Sequence, residues 1–292
     1  MPMREPSESR PSFHSRPTDR GELTGIAWCL GSSLARRPLG KDCWAEALLR
    51  WSIAAGRQTD LVTSSATSSV LAGFRFPRAV ISLAVRWYLR YGLSYRDVEE
   101  LLAERGITVD HVTIYRWVQR FTPEFIEAAR PGRHGPGDRW FADETYIKVA
   151  GQWAYLYRAI DQHGQVIDVL LSARRDLAAA RRFFARALRA GTVLAEVTTD
   201  RAPVYPRVLD ELVPSALHTV EQYANNPIEA DHGRLKARLR PMRGLKRHRS
   251  ARILAAGHAF VQNLRRGHYD IATEVPSHHK LRAAFDDLAL AI

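Results

Sequence analysis

The chain has 292 residues, with 43 Lys+Arg against 31 Asp+Glu for a net charge of +12, and 46% of it is hydrophobic. That is the balance of a water-soluble protein long enough for one large core or two modest ones. No apolar run approaches the roughly 20 residues that cross a bilayer, and two cysteines, Cys29 and Cys43, exclude a disulfide scaffold and a zinc site built from Cys alone.

Residues 1–70 are expected to be a largely disordered extension. Residues 1–25 are rich in Ser, Pro and Arg, and a short helix near Trp44–Ala55 is the one element the rest suggests. Residues 71–130 read as a helical DNA-binding domain. Pro77 suits a first-turn position, and Val80, Leu83, Ala84, Trp87 and Tyr88 follow at helical spacing. Ser94 and Asp97 have capping-box spacing for a second helix, Glu104–Ile107 reads as a turn, and Asp110 can cap a third helix. Three helices with a Gly-containing turn before the last fit a helix-turn-helix, and an ordinary three-helix bundle fits the spacing as well. In a helix-turn-helix, the third helix would present His111, Thr113, Arg116, Gln119 and Arg120 to a DNA groove.

Residues 131–138, rich in Gly and Pro, are the expected linker. The segment 139–270 has another character. Trp140–Val149, Trp153–Asp161 and Val166–Ser172 are β-branched and aromatic runs separated by turn residues, an antiparallel meander. An amphipathic helix over Asp176–Ala190 comes next, then a strand over Glu196–Asp200 and a helix over Pro203–Leu212. A strand over Leu217–Val220 and a long helix opening at Asn226 or Pro227 complete the order, and residues 271–292 form a tail expected to be helical. The fold class expected is α/β (α+β): a helix-turn-helix followed by an RNase H-like mixed-sheet domain, the latter by analogy of element order.

The charge is concentrated. Residues 1–65 net +2, whereas His232–Tyr269 holds eleven Lys+Arg and no acid, which leaves −1 for the rest. Solvated faces usually mix signs, so this stretch points to phosphate contact, with Lys236, Arg240, Lys246 and Arg247 as candidates.

Asp143 in the first strand, Asp200 at the end of the fourth and Glu229 in the first turns of the long helix stand where this architecture converges. Three hard oxygen donors there suit Mg²⁺, which can serve both the attacking and the leaving oxygen of a phosphodiester displacement. Each Asp taken alone also fits a turn or cap role. Glu144, by strand alternation, points away from Asp143 and is set aside. His232 and Lys236 share the Glu229 face of their helix and suit a phosphate grip; a buried hydrogen-bonding role for His232 is an equal alternative.

With these residues in view, the sequence closely resembles the DDE transposases of the insertion-sequence-six family. The resemblance is carried by AVRWYLRYGLSYRDVEELLAERGITVDHVTIYRWVQR, DETYIKVAGQWAYLYRAID and NNPIEADHGRLK, within a match from about Phe74 to about Gly267. It implies that Asp143, Asp200 and Glu229 are the catalytic, metal-binding triad and Lys236 the basic residue beyond it. It also implies terminal-inverted-repeat binding by roughly residues 77–121. The expected activity is cleavage of DNA and 3′-OH strand transfer to target DNA, with Mg²⁺ as cofactor and Mn²⁺ able to substitute. A homodimer or larger synaptic complex is expected in the bacterial cytosol, associated with the nucleoid and with no membrane partner. A catalytically inactive DNA-binding regulator and an RNase H-like structure-selective nuclease are the alternatives. Two features depart from the family: the extension 1–70 has no counterpart, and Gly257-His258-Ala259 stands where many relatives have Gly-Ile-Glu.

Overall fold

A computed structural model of the protein describes Leu71 and residues 74–292, apart from 222 and 243. The expectations for residues 1–70 lie outside the described residues. Three helices come first: α1 (Arg78–Arg90), α2 (Tyr95–Ala103) and α3 (His111–Ala129). The predicted local signals operate at their ends. Ser94 and Asp97 form a reciprocal capping box at α2, and the Asp110 side chain accepts from the Val112 and Thr113 amides at α3. The turn between α2 and α3 needs a left-handed residue, which Gly106 supplies at φ +73°.

The mixed sheet follows, with β1 (Arg139–Val149), β2 (Gln152–Asp161), β3 (Val166–Ser172), β4 (Glu196–Thr198) and β5 (Leu217–Thr219) in the order β3-β2-β1-β4-β5. β1, β2 and β3 are an antiparallel meander, whereas β4 runs parallel to β1 and β5 parallel to β4. This is the RNase H-like order. The helix α4 (Leu177–Ala187) joins β3 to β4, and α5 (Val204–Leu212) joins β4 to β5. Together they cover one face of the sheet through Phe183, Phe184, Tyr205 and Val208 packed on Trp140, Ala142 and Tyr157. The opposite face receives α6 (Asn226–Leu239) and α7 (His248–Arg266), through Ile228 in one cluster and Leu235, Ala251 and Ala255 in another.

The hydrophobic core crosses the predicted division into domains. Leu254, Phe260, Val261 and Leu264 of α7, with Phe285 and Leu288 of the last helix α8 (Ser277–Ala291), pack into one cluster with Ile81, Leu89, Val118 and Phe121 of the N-terminal helices. The described residues accordingly form a single compact unit. Gly257 allows the close crossing, because a Cβ there would lie 2.6 Å from the Leu89 side chain and 2.8 Å from that of Thr122.

The predicted linker is bonded into this body. Arg133 donates to the Val166 and Ile167 carbonyls, Gln165 to the His134 carbonyl, and the Gly137 amide to Asp161. Gly and Pro mark where the chain turns, but backbone groups brought against other elements still require partners.

Candidate active site

The parallel register of β1 and β4 pairs Phe141 with Thr198. Two residues beyond that pair lie Asp143, still in β1, and Asp200, just past the end of β4. β4 stops at Thr198, and the chain beyond it turns. Asp200 holds that turn by accepting from the Ala202 amide at 3.0 Å.

Because β4 stops there, the edge of β1 beyond Phe141 is not covered by that strand, and a third carboxylate reaches the site. Oxygens of Asp143, Glu144 and Asp200 lie within 4.8 Å of one another. This corrects the expectation that Glu144 cannot share a site with Asp143. The two side chains do leave opposite faces of β1: Glu144 reaches Tyr205 on the α5 side, and Asp143 faces His232 on the α6 side. Alternation separates them only where a neighbouring strand fills the edge, and here Asp200 occupies that edge in the open.

The three acids are not equivalent. Glu144 is buried, with one oxygen paired to Arg175 Nε and the other accepting from the Tyr205 hydroxyl. Arg175, in the turn before α4, also reaches Asp200 at 3.2 Å. Asp143 has no arginine partner among the described residues, and the His232 ring lies 3.6 Å from it. Burial, and then the charges of Glu144 and Asp200, push the Asp143 carboxyl up to about 7. Burial, and then the Arg158 and Lys236 charges, hold the His232 imidazole down at about 4, so it is neutral at pH 7. Crowded, hard oxygen donors with a deficit of positive charge fit a divalent cation of the magnesium type.

Glu229 stands apart from this group. It is exposed in the first turn of α6 and outside the carboxylate cluster. It is, however, three residues before His232, one turn away on the same helix face. Asp231 faces the interior. There it pairs with Arg158, which is wholly buried, and with Arg266 at 2.7 Å.

The predicted DNA contacts divide. Arg116, Gln119 and Arg120 of α3 line one pocket of about 310 Å³ with Arg247 and Arg249 at the start of α7, which joins the third helix to the basic stretch. Lys236, Arg240 and Lys246 are exposed. His111 instead faces Glu99 of α2 at 2.9 Å, and the Thr113 hydroxyl bonds the capping Asp110 at 2.6 Å.

A sheet of this order, with carboxylates crowded at adjacent parallel strands, is the architecture of RNase H-like polynucleotidyl transferases. Residues 137–268 match the family described as the DDE domain. The chain is 40% identical over 169 residues to the transposase for insertion sequence-like element IS431mec of Staphylococcus aureus, spanning 56% of this chain and 75% of that relative. It is 39% identical, over the same shares, to the transposase for insertion sequence element IS257 in transposon Tn4003 of the same organism. Among solved structures it is similar to the HTLV-2 integrase catalytic core domain, at 17% identity and a TM-score of 0.36 over 44% of this chain and 87% of that one. The chain belongs to the insertion-sequence-six family of DDE transposases.

Proposed function

We propose that the protein binds the terminal inverted repeats of an insertion sequence, cuts the DNA at their ends and joins the exposed 3′-OH to target DNA. The observation that carries this reading is the parallel pairing of β1 with β4, whose last pair, Phe141 and Thr198, lies two residues before Asp143 and Asp200, with oxygens of these two acids within 4.8 Å.

The metal ligands in this reading are Asp143, Asp200 and Glu229. Glu144 has both oxygens engaged by Arg175 and Tyr205, so its role is to hold Arg175 against Asp200. The third ligand then has to come from elsewhere. Glu229 is three residues, about 4.5 Å along the helix axis, from an imidazole 3.6 Å from Asp143. A bound Mg²⁺, or Mn²⁺ in its place, supplies Lewis-acid stabilisation of the charge that develops on the phosphate oxygens. His232, neutral at pH 7, adds no cation beside Asp143, and Lys236 stands on the same helix face to meet phosphate.

Two displacements use the site in turn. In the first, a water oxygen bonds to phosphorus and the P–O3′ bond breaks, leaving a 3′-OH. In the second, that 3′ oxygen bonds to a target phosphorus and the target's own 3′ oxygen leaves, so phosphodiester bonds are conserved in number and no covalent protein intermediate is needed. End binding falls to α3 and the start of α7 through Arg116, Gln119, Arg120, Lys246 and Arg247, with His111, Thr113 and Arg240 flanking. Two ends have to be held at once, so a homodimer or larger synaptic complex is the working form.

The test is a strand-transfer assay on the DNA flanking the reading frame. Replacement of Asp143, Asp200 or Glu229 by Ala is expected to abolish cleavage and joining while gel-shift affinity for the ends is kept. Strand transfer at the wild-type rate by Asp200→Ala would overturn the assignment. A wild-type protein that shifts DNA but never cuts it with Mg²⁺ or Mn²⁺ would be a regulator, and one that cuts without joining a nuclease.

A further inference from the structure

On the far side of α6 from the carboxylates, a cavity of about 500 Å³ lies where α1, α6 and α7 meet. Five arginines line it, and no acid does: Arg90, Arg234, Arg238, Arg265 and Arg266. Arg234 and Arg238 share one face of α6, while His232 and Lys236 share another, about 200° around the helix. The cavity is therefore separate from the proposed active site.

The acid within reach is already taken. Asp231 pairs with Arg158, Arg266 and, at 3.6 Å, Arg234. Neither Arg90 nor Arg265 has an ion-pair partner among the described residues, and Arg90 rests on the Tyr91 ring. Burial, and then the charges of Arg90 and Arg266, push the Arg265 guanidinium down from its usual value. Arg238, 5% exposed, keeps Nε and Nη1 without hydrogen-bond acceptors, as Gln262 beside it keeps its Oε1 without a donor.

Ordinary helix-end chemistry explains part of this cluster. Arg90, Arg238, Arg265 and Arg266 each stand in the last turn of a helix, where the helix dipole favours cations. A dipole stabilises one arginine at its own terminus. It does not account for three such termini converging on one cavity and crowding their guanidinium groups, which raises the energy of the empty site. An anion removes that cost, and planar guanidinium groups suit phosphate oxygens.

We propose that this cleft grips the phosphodiester backbone of DNA, as a second phosphate-binding surface across α6 from the acidic site. The proposal rests on the transposase reading for the identity of the polyanion. It assigns Arg90 and Arg265 to the contact, and Arg238 and Arg266 to the wall behind it.

Fluorescence anisotropy of the full chain with duplex DNA, across a range of salt, tests the cleft. Each lost phosphate contact removes about 0.9 from the slope of log K against log salt. Arg90→Ala/Arg265→Ala is therefore expected to lower the slope by about 1.8, and Arg90→Lys/Arg265→Lys to keep it. Thermal unfolding of both variants at the wild-type midpoint excludes a folding defect. Inorganic tripolyphosphate supplies the other source of the same chemistry. Competition that needs millimolar amounts fits a DNA backbone site. Micromolar binding of tripolyphosphate, lost in the alanine variant while the DNA slope is unchanged, overturns the proposal in favour of a free polyphosphate. An unchanged slope with no tripolyphosphate binding also overturns it. If wild-type protein joins ends in the same preparation, the transposase reading stands whichever way the cleft falls.

Discussion

Burial and the charges of Glu144 and Asp200 oppose ionisation of Asp143, and the more distant Arg175 only partly offsets them, while neutral His232 does nothing to help. With a folded value of about 7 against about 3.9 unfolded, Asp143 holds its proton in the metal-free fold where the unfolded chain has lost it. Its stabilising contribution is full below about pH 4 and is lost as pH rises through 7. Replacing it with Asn should therefore stabilise metal-free protein at pH 8 by up to about 4 kcal/mol, read from urea unfolding, while activity disappears. A less stable Asn variant would mean that the acids do not crowd as described. The same proton competes with a cation, so metal affinity should fall as pH drops below about 7. Titration calorimetry in buffers of different ionisation heat should find proton release on binding at pH 6.5. His232, by contrast, stabilises the fold above about pH 6.5 through its neutral form and loses that as pH falls through about 4.

At the scale of the element, α6 divides its surface among three environments. One face carries Glu229, His232 and Lys236, which the proposed function assigns to the acidic site, one carries Arg234 and Arg238 toward the arginine cleft, and the face between carries buried Ile228, Asp231 and Leu235. Asp231 fastens the helix to β2 through Arg158 and to α7 through Arg266. Burial alone would raise its carboxyl, but those two arginines outweigh burial and hold it below the usual range. Its removal strands a wholly buried guanidinium. Asp231→Asn should cost about 3–5 kcal/mol in equilibrium unfolding, which would abolish DNA joining by loss of fold. Glu229→Gln should abolish joining with the unfolding midpoint unchanged. If Asp231→Asn unfolds like the wild type, the pairing does not hold the helix.

Over the whole molecule, the sheet domain does not end where its last strand does. α7 touches the sheet with Ala251 and Ala255 and the N-terminal helices with Leu254, Phe260 and Val261, and α8 closes the helical core with Phe285. The helices proposed to hold DNA are thereby fixed to the sheet that carries the acids. Phe285→Ala, a wholly buried ring against Phe125 and Phe260, should cost about 3–5 kcal/mol, and it should lower the melting of helices and sheet together in a single transition. Two separate transitions would show that the helical module folds independently of the sheet.

Much of this was legible in the residues themselves. The capping box at Ser94 and Asp97, the Asp110 cap and the aromatic strand pattern are local, and each element they announce is present with ends shifted by a few residues. Asp143 and Asp200 could be read as partners because element order fixes β1 beside β4. Glu144 could not, since alternation separates neighbours on a strand and says nothing about where the adjoining strand stops. Arg175 lacked any signal, lying in a turn whose charge gains meaning only from Glu144 and Asp200. The acid-free run 232–269 announced phosphate contact. It did not announce that Arg234, Arg238, Arg265 and Arg266 would meet Arg90 of the first helix. The sequence by itself determined most of the segments that fold as helix or strand, though not the separate helix α7, because periodicity and capping act within a few residues. The tertiary structure alone decided which faces meet, because burial is indifferent to distance along the chain and any apolar stripe of the right shape will serve.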